Sequence, residues 1–260
     1  EKMRLINSGC FPSLRCSLFC GEPLPAGYAH LWQGAAAHSI LENLYGPTET
    51  TIAISHYRWR GAESPEECVN GLVPIGRIFE GQQYRIVNHE DQRISAGESG
   101  ELCLAGSQVA TGYWHHDTTT PGRFGPLPEG GDAIWYRTGD RVREDQQGCL
   151  HYLGRLDDQV KIRGHRVELR EIEAVLRAAC GSEQVVTLPW RAQHGSAGGV
   201  VAFVSVVERL DHARALAYCR QFLPSYMVPQ RLYELHDMPR TINGKVDRLA
   251  LAERLKGLEL

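Results

Sequence analysis

The sequence predicts a mixed fold in three successive parts: an α/β segment to about residue 57, a small β-barrel or sandwich over about 58–155, and a separate α+β unit from about 158 onward. Three features carry that reading. Residues 14–51 run strand, helix, strand, loop; residues 52–153 hold short strand-like stretches separated by turn signals; after residue 154 the apolar pattern takes a helical spacing. With 260 residues, 42% of them hydrophobic, there is enough chain for one large core or two small ones.

The first apolar run, Leu14 to Cys20, is stopped by Gly21, Glu22 and Pro23, which reads as a buried strand entering a ligand-facing loop. Residues 26–37 are rich in alanine and predict a helix. A second strand follows over 39–45, and Gly46 and Pro47 end it, leaving Thr48, Glu49, Thr50 and Thr51 at a turn. Strand-like stretches then recur at 51–59, 82–87, 98–106, 133–142 and 149–154, with a Thr-, Gly- and Pro-rich surface loop at 117–131. Beyond Gly154, Leu169, Ile172, Val175 and Leu176 share one helical face. A strand over 184–190, a polar Gly-rich loop over 191–199, a strand over 200–207 and a helix from Asp211 to about Phe222 complete a unit of roughly 100 residues, a size that can fold alone.

Composition removes several classes of function. A net charge of -3, spread without long runs of either sign, gives no electrostatic case for nucleic acid or an anionic membrane. The longest apolar stretches are about ten residues, against the ~20 of a membrane helix, and no signal peptide opens the chain. Eight cysteines with no CxxC pair read as reduced thiols of a cytoplasmic protein. Cys10, Cys16 and Cys20 lack a suitably spaced histidine, and the pair His115 and His116 reads as solvated loop, so neither set predicts a metal site. The chain opens without methionine and meets a core-like segment almost at once, which predicts a fragment of something longer.

No GxGxxG, GxxxxGK[ST], HExxH or GxSxG string is present. Four longer strings remain. In residues 43–51, Asn43 offers an amide to a base edge, Tyr45 a flat ring, Thr48 a hydroxyl to a phosphate and Glu49 a carboxylate to a hard cation; an ordinary strand-to-turn junction has the same composition. In residues 136–140, Asp140 follows a glycine and could accept from two vicinal hydroxyls, or merely cap its own turn. In residues 154–173, Arg155 suits a phosphate or ribose, and Asp157 and Asp158 interrupt the apolar pattern where a hinge between domains is expected; a basic surface strand leading into a helix reads the same way. In residues 238–248, Asn243 and Gly244 form a turn that presents Lys245, a point charge fit for a phosphoryl transition state, or simply an exposed lysine at an Asn-Gly turn with no role.

In this order the four strings resemble the adenylate-forming superfamily, which includes nonribosomal peptide adenylation domains, acyl-CoA synthetases and luciferases. The peptide synthetase branch fits best, on QVKIRGHRVEL and PRTINGKVDR, and the similarity covers residues 14–250. It implies that residues 1–155 are the end of a large α/β subdomain with its β-barrel and that 158–260 form a mobile C-terminal lid hinged at Asp157. It further implies that the Gly21, Glu22 and Pro23 loop and Tyr45 sandwich adenine with Asn43 near its amino group. Thr48 would touch phosphate, Glu49 hold Mg²⁺, and Asp140 bind the ribose hydroxyls with Arg155 beside them.

The implied reaction is attack of an amino-acid carboxylate on the α-phosphate of ATP, then transfer to the phosphopantetheine thiol of a peptidyl carrier protein in antibiotic or siderophore biosynthesis. Lys245 would act in the first pose of the lid, and Gly164 would line the pantetheine tunnel in the second. Substrate-pocket positions fall at Leu18, Cys20, Leu44, Ile52 and Ala53, which implies a small or medium-sized, largely apolar amino acid. The family's N-terminal stretch, with its phosphate loop and the aspartate that grips the substrate amine, is missing from this chain, and no carrier-protein segment follows, which implies a free-standing ligase. An acyl- or aryl-CoA ligase of the same superfamily, or a non-catalytic docking fragment, are the competing expectations.

Overall fold

A computed structural model describes residues 6–114, 122–128, 130–157, 159–192, 196–206, 209–242 and 244–258. The histidine pair at 115 and 116, Asp158 and Asn243 lie outside the described residues. The chain divides into two compact units, Glu1–Asp157 and Asp158–Leu260. No helix among the described residues is long and apolar enough to cross a membrane, and all eight cysteines are free.

In the first unit β1 (Cys16–Phe19), α1 (Ala26–Ala35) and β2 (Ile40–Tyr45) realise the strand-helix-strand reading, and β1 and β2 are parallel neighbours, with Phe19 opposite Asn43. The short crossover helix packs back through Ala29 onto Leu41, Tyr57 and Trp59. A 3₁₀ turn at Thr48–Thr50 follows, then β3 (Ser55–Arg58), the one-turn helix α2 (Ser64–Glu67) and β4 (Arg77–Ile78), which complete a four-stranded sheet in the order β1-β2-β3-β4.

The next five strands are β5 (Gln83–Val87), β6 (Ser99–Ala105), β7 (Phe124–Gly125), β8 (Trp135–Glu144) and β9 (Leu150–Arg155). They pair antiparallel as an open sheet: β6 lies along one side of β8, and β7 and β9 lie along the other. The closed barrel expected over 58–155 is therefore not what forms. Both faces are already covered. Leu102 and Leu104 of β6 pack with Tyr45, Ile54 and Ile75, while Cys103 and Ala105 on the opposite face pack with Leu127 and Trp135, so burial is reached without closure.

The second unit opens with a hairpin, β10 (Gln159–Ile162) and β11 (His165–Glu168), turned by Arg163 and Gly164 alone. Both turn residues have positive φ, 50° and 86°, as a type I′ turn requires. The helix α3 (Leu169–Cys180) buries Leu169, Ile172 and Leu176, the face its spacing predicts, and ends on Gly181 in the left-handed conformation. Next come β12 (Val185–Trp190), β13 (Ser196–Ala197), β14 (Gly199–Ser205), α4 (His212–Phe222), β15 (Arg231–Leu235) and α5 (Arg248–Leu258). The loop expected at 191–199 carries β13, which pairs with β10. Asp211 caps α4 by accepting from the Arg214 amide at 3.0 Å.

The central strand β14 serves two cores. Val200, Ala202 and Val204 face α3 and α4, whereas Val201 and Phe203 face Leu251 and Leu255 of α5.

Candidate active site

Because β1 and β2 are parallel, the loops after both leave the same end of the sheet, the usual place for ligands in α/β folds. The loop after β1 holds Gly21, at φ 97°, then Glu22 and Pro23. The loop after β2 begins at Gly46, where a Cβ would stand 2.7 Å from the Ala53 Cα, so only glycine lets the two backbone passes come this close. Between them Thr51 (φ 57°) and Ile52 (φ 74°) are left-handed, an outlying conformation for a β-branched side chain that leaves Ile52 74% exposed. Neighbouring backbone holds the turn: Thr51 Oγ1 donates to Gln108 O (2.9 Å), Gln108 Nε2 to Ala53 O (2.9 Å) and the Ala110 amide to Glu49 O (2.8 Å). Cys20 Sγ lies 3.8 Å from Ile52 O, which joins two of the expected pocket positions; Leu18 is exposed, and Leu44 and Ala53 are half-buried.

Thr48 is exposed at the head of the turn and Glu49 half-buried behind it. The Tyr113 hydroxyl donates to Glu49 Oε1. Burial first, and that hydrogen bond second, raise the Tyr113 pKa, so the proton stays on the phenol and the glutamate remains an acceptor. Asn43 is buried, and its Nδ2 donates to Pro74 O (2.8 Å) and Val73 O (3.4 Å).

Asp140 owes its position to a β-bulge. Glu101 pairs with Arg141 and Cys103 with Arg137, so residues 138–140 of β8 oppose Leu102 alone. Gly139 takes φ 70°, and its amide donates to Glu101 Oε1 (2.9 Å). Thr138 Oγ1 donates to Leu102 O (2.7 Å) and accepts from the Asp140 amide (3.0 Å). Buried Asp140 thereby meets two partners: Tyr45 Oη donates to Oδ2 (2.5 Å) and Arg155 Nη1 to Oδ1 (2.8 Å). Arg155 also grips Asp157 through Nε (2.9 Å) and Nη2 (2.6 Å), and Arg123 Nη2 reaches the same Asp157 Oδ2 (2.7 Å).

Two carboxylates and two guanidiniums thus neutralise each other over the bulge. Burial opposes the Arg155 charge, but hydrogen bonds and charge from Asp157 and Asp140 outweigh it and raise its pKa. Burial, reinforced by Asp140, raises the Tyr45 pKa well above the usual phenol value, so Tyr45 stays a donor. A carboxylate offers about four lone-pair positions, and these two partners leave Asp140 capacity for hydroxyl donors.

Arg123, Thr138 and Tyr113 were not singled out by sequence. Arg123 sits in a segment whose composition reads as surface loop, and only Gly139, an isolated glycine in a strand pattern, carries a bulge signal. In the second unit Lys245 is exposed on a turn closed by the Gly244 amide on Thr241 O (2.9 Å) and the Thr241 amide on Lys245 O (2.8 Å).

Residues 2–114, which include the turn after β2, match the family described as AMP-binding enzyme. The chain is 40% identical over 232 residues to a dimodular nonribosomal peptide synthase of Bacillus subtilis, covering 89% of this chain and 9% of that protein. It is 36% identical over 246 residues to an L-proline--[L-prolyl-carrier protein] ligase of Pseudomonas fluorescens, covering 94% of this chain and 46% of the other. The adenylation domain AlmE of Vibrio cholerae, solved with glycyl-adenosine-5'-phosphate, superposes with a TM-score of 0.85 at 37% identity, covering 98% of this chain and 47% of that one. The chain spans less than half the length of these relatives. It belongs to the adenylate-forming enzymes, in the branch of nonribosomal peptide synthetase adenylation domains.

Proposed function

We propose that the protein activates an amino acid as its aminoacyl-adenylate with ATP and passes it to the phosphopantetheine thiol of a peptidyl carrier protein. The observation that carries this reading is the bulge-mounted Asp140, held by Tyr45 and Arg155 beside the end of the parallel strands. Asp140 accepts from the ribose hydroxyls, Arg155 keeps it aimed, and Tyr45 with the Gly21, Glu22 and Pro23 loop flanks adenine, near Asn43. Thr48 donates to phosphate. Glu49, an oxygen donor held by Tyr113 beside that hydroxyl, suits Mg²⁺, which takes one or two carboxylates plus substrate phosphates. When bound, Mg²⁺ supplies charge neutralisation at the phosphates.

The reaction needs positioning and charge more than covalent catalysis. Lys245 supplies a positive charge to the substrate carboxylate and α-phosphate when residues 158–260 act as a lid, and Asp157 is the hinge. Gly164, without a side chain, leaves room for pantetheine in the second pose. Leu18, Cys20, Leu44, Ile52 and Ala53 line the side-chain pocket and favour a small or medium-sized apolar amino acid. The names of the relatives support the class: one is a prolyl-carrier protein ligase and one was solved with a glycyl adenylate.

The test is labelled-pyrophosphate exchange by the full-length enzyme across amino acids and simple carboxylic acids. Exchange driven by a few small apolar amino acids is expected. Exchange driven only by acids without an amino group would contradict the reading and favour an acyl- or aryl-CoA ligase.

A further inference from the structure

The turn that joins β8 to β9 carries a side-chain cluster apart from the nucleotide site. Cys149 immediately precedes β9 and His151 is its second residue, and the Asp145 amide donates to Cys149 O (3.0 Å) across the turn. One ligating atom from each of the three lies within 4.8 Å of the others. Cys149 and His151 are buried. Asp145 is fixed by its own turn: Oδ1 accepts from the amides of Gln147 (2.9 Å) and Cys149 (2.8 Å), and Oδ2 lies 3.0 Å from His151 Nε2. The other ring nitrogen, Nδ1, is buried with no partner among the described residues. Asp145 and Cys149 also line a cavity of about 590 Å³ bounded by His56, Glu67 and Arg77.

We propose that Asp145, Cys149 and His151 bind a divalent transition-metal ion of the zinc class, with a fourth position open to this cavity. The donor set decides the class. One sulfur, one imidazole nitrogen and one carboxylate suit borderline-soft zinc, whereas Glu49 and Thr48 offer oxygen alone, so the two sites draw different ions. Ligand atoms about 2.0–2.3 Å from a shared tetrahedral ion lie roughly 3.3–3.8 Å apart, so side-chain rotation suffices to close the cluster. His151 Nε2 and Asp145 Oδ2 already face each other at 3.0 Å, so an ion between them takes the place of a hydrogen bond that the ring makes now, and the cavity is the entry path. The ion pins one end of a hairpin whose other end carries Asp140 and Arg155.

The test is titration of the metal-free, full-length protein with Co²⁺, then displacement by Zn²⁺. One equivalent of four-coordinate Co²⁺ with a thiolate-to-cobalt charge-transfer band is expected. The Cys149→Ser variant should lose that band and bind at least about 100-fold more weakly, the upper end of what changes outside the ligand shell cost. Cys16→Ser and Cys20→Ser should leave both unchanged. X-ray absorption of the zinc-loaded wild type should show one sulfur ligand and decides the matter without any variant. No stoichiometric binding, no sulfur ligand, or a band that survives Cys149→Ser overturns the proposal.

Discussion

Tyr45 and Asp140 are 95 residues apart in sequence and share a 2.5 Å hydrogen bond. The sequence names each as a candidate on its own, but the contact depends on how two sheets stack, which no local pattern encodes. The same holds for Arg123: nothing local says that this loop arginine reaches Asp157. Gly139 is where the residue scale is most exposed to test. A Cβ there would stand 2.7 Å from both Arg155 Nη2 and Asp157 Oδ2, on a backbone already at φ 70°. Gly139→Ala should cost about 1–3 kcal/mol in denaturant unfolding and weaken nucleotide binding by displacing Arg155 from Asp140. Tyr45→Phe removes one partner of a buried carboxylate and should likewise cost about 1–3 kcal/mol, with nucleotide affinity falling in parallel by calorimetry.

Among the elements, those with a strong period were legible and those made by tertiary pairing were not. Helix α3 shows three buried apolar residues on one face, as its spacing predicts. Helix α5 buries only Leu251 and Leu255 while Leu249 and Leu258 are exposed, so its stripe is too weak to read. The expected barrel failed to close because packing against the first sheet and against Leu127 and Trp135 already buries both faces of β6. Pairing between β2 and β3 sets Glu42 directly opposite Arg58, with a 2.8 Å ion pair. The hydrogen bond from Arg58 lowers the Glu42 pKa below its ordinary 4.5 despite partial burial. A depressed carboxylate contributes stability that is complete above the ordinary value and is lost as pH falls through the lowered one. Glu42→Gln should therefore flatten the loss of stability below about pH 4.5 by an amount on the order of 0.2–1 kcal/mol, read from denaturant midpoints at several pH values.

At the scale of the whole molecule the chain is two compact units that part between Asp157 and Asp158, and Asp157 is itself gripped by Arg155 and Arg123. In the proposed cycle Lys245 serves only one of two lid poses, so its contribution separates the half-reactions. Lys245 is exposed, and replacing it should shift stability by no more than about 0.5 kcal/mol. The most direct measurement is a pair of rates for full-length Lys245→Ala: formation of aminoacyl-adenylate from ATP, and transfer of the amino acid from preformed adenylate to the carrier thiol. The account predicts a fall of about 10²–10³-fold in the first with the second unchanged. Equal loss in both, or none in either, would contradict it.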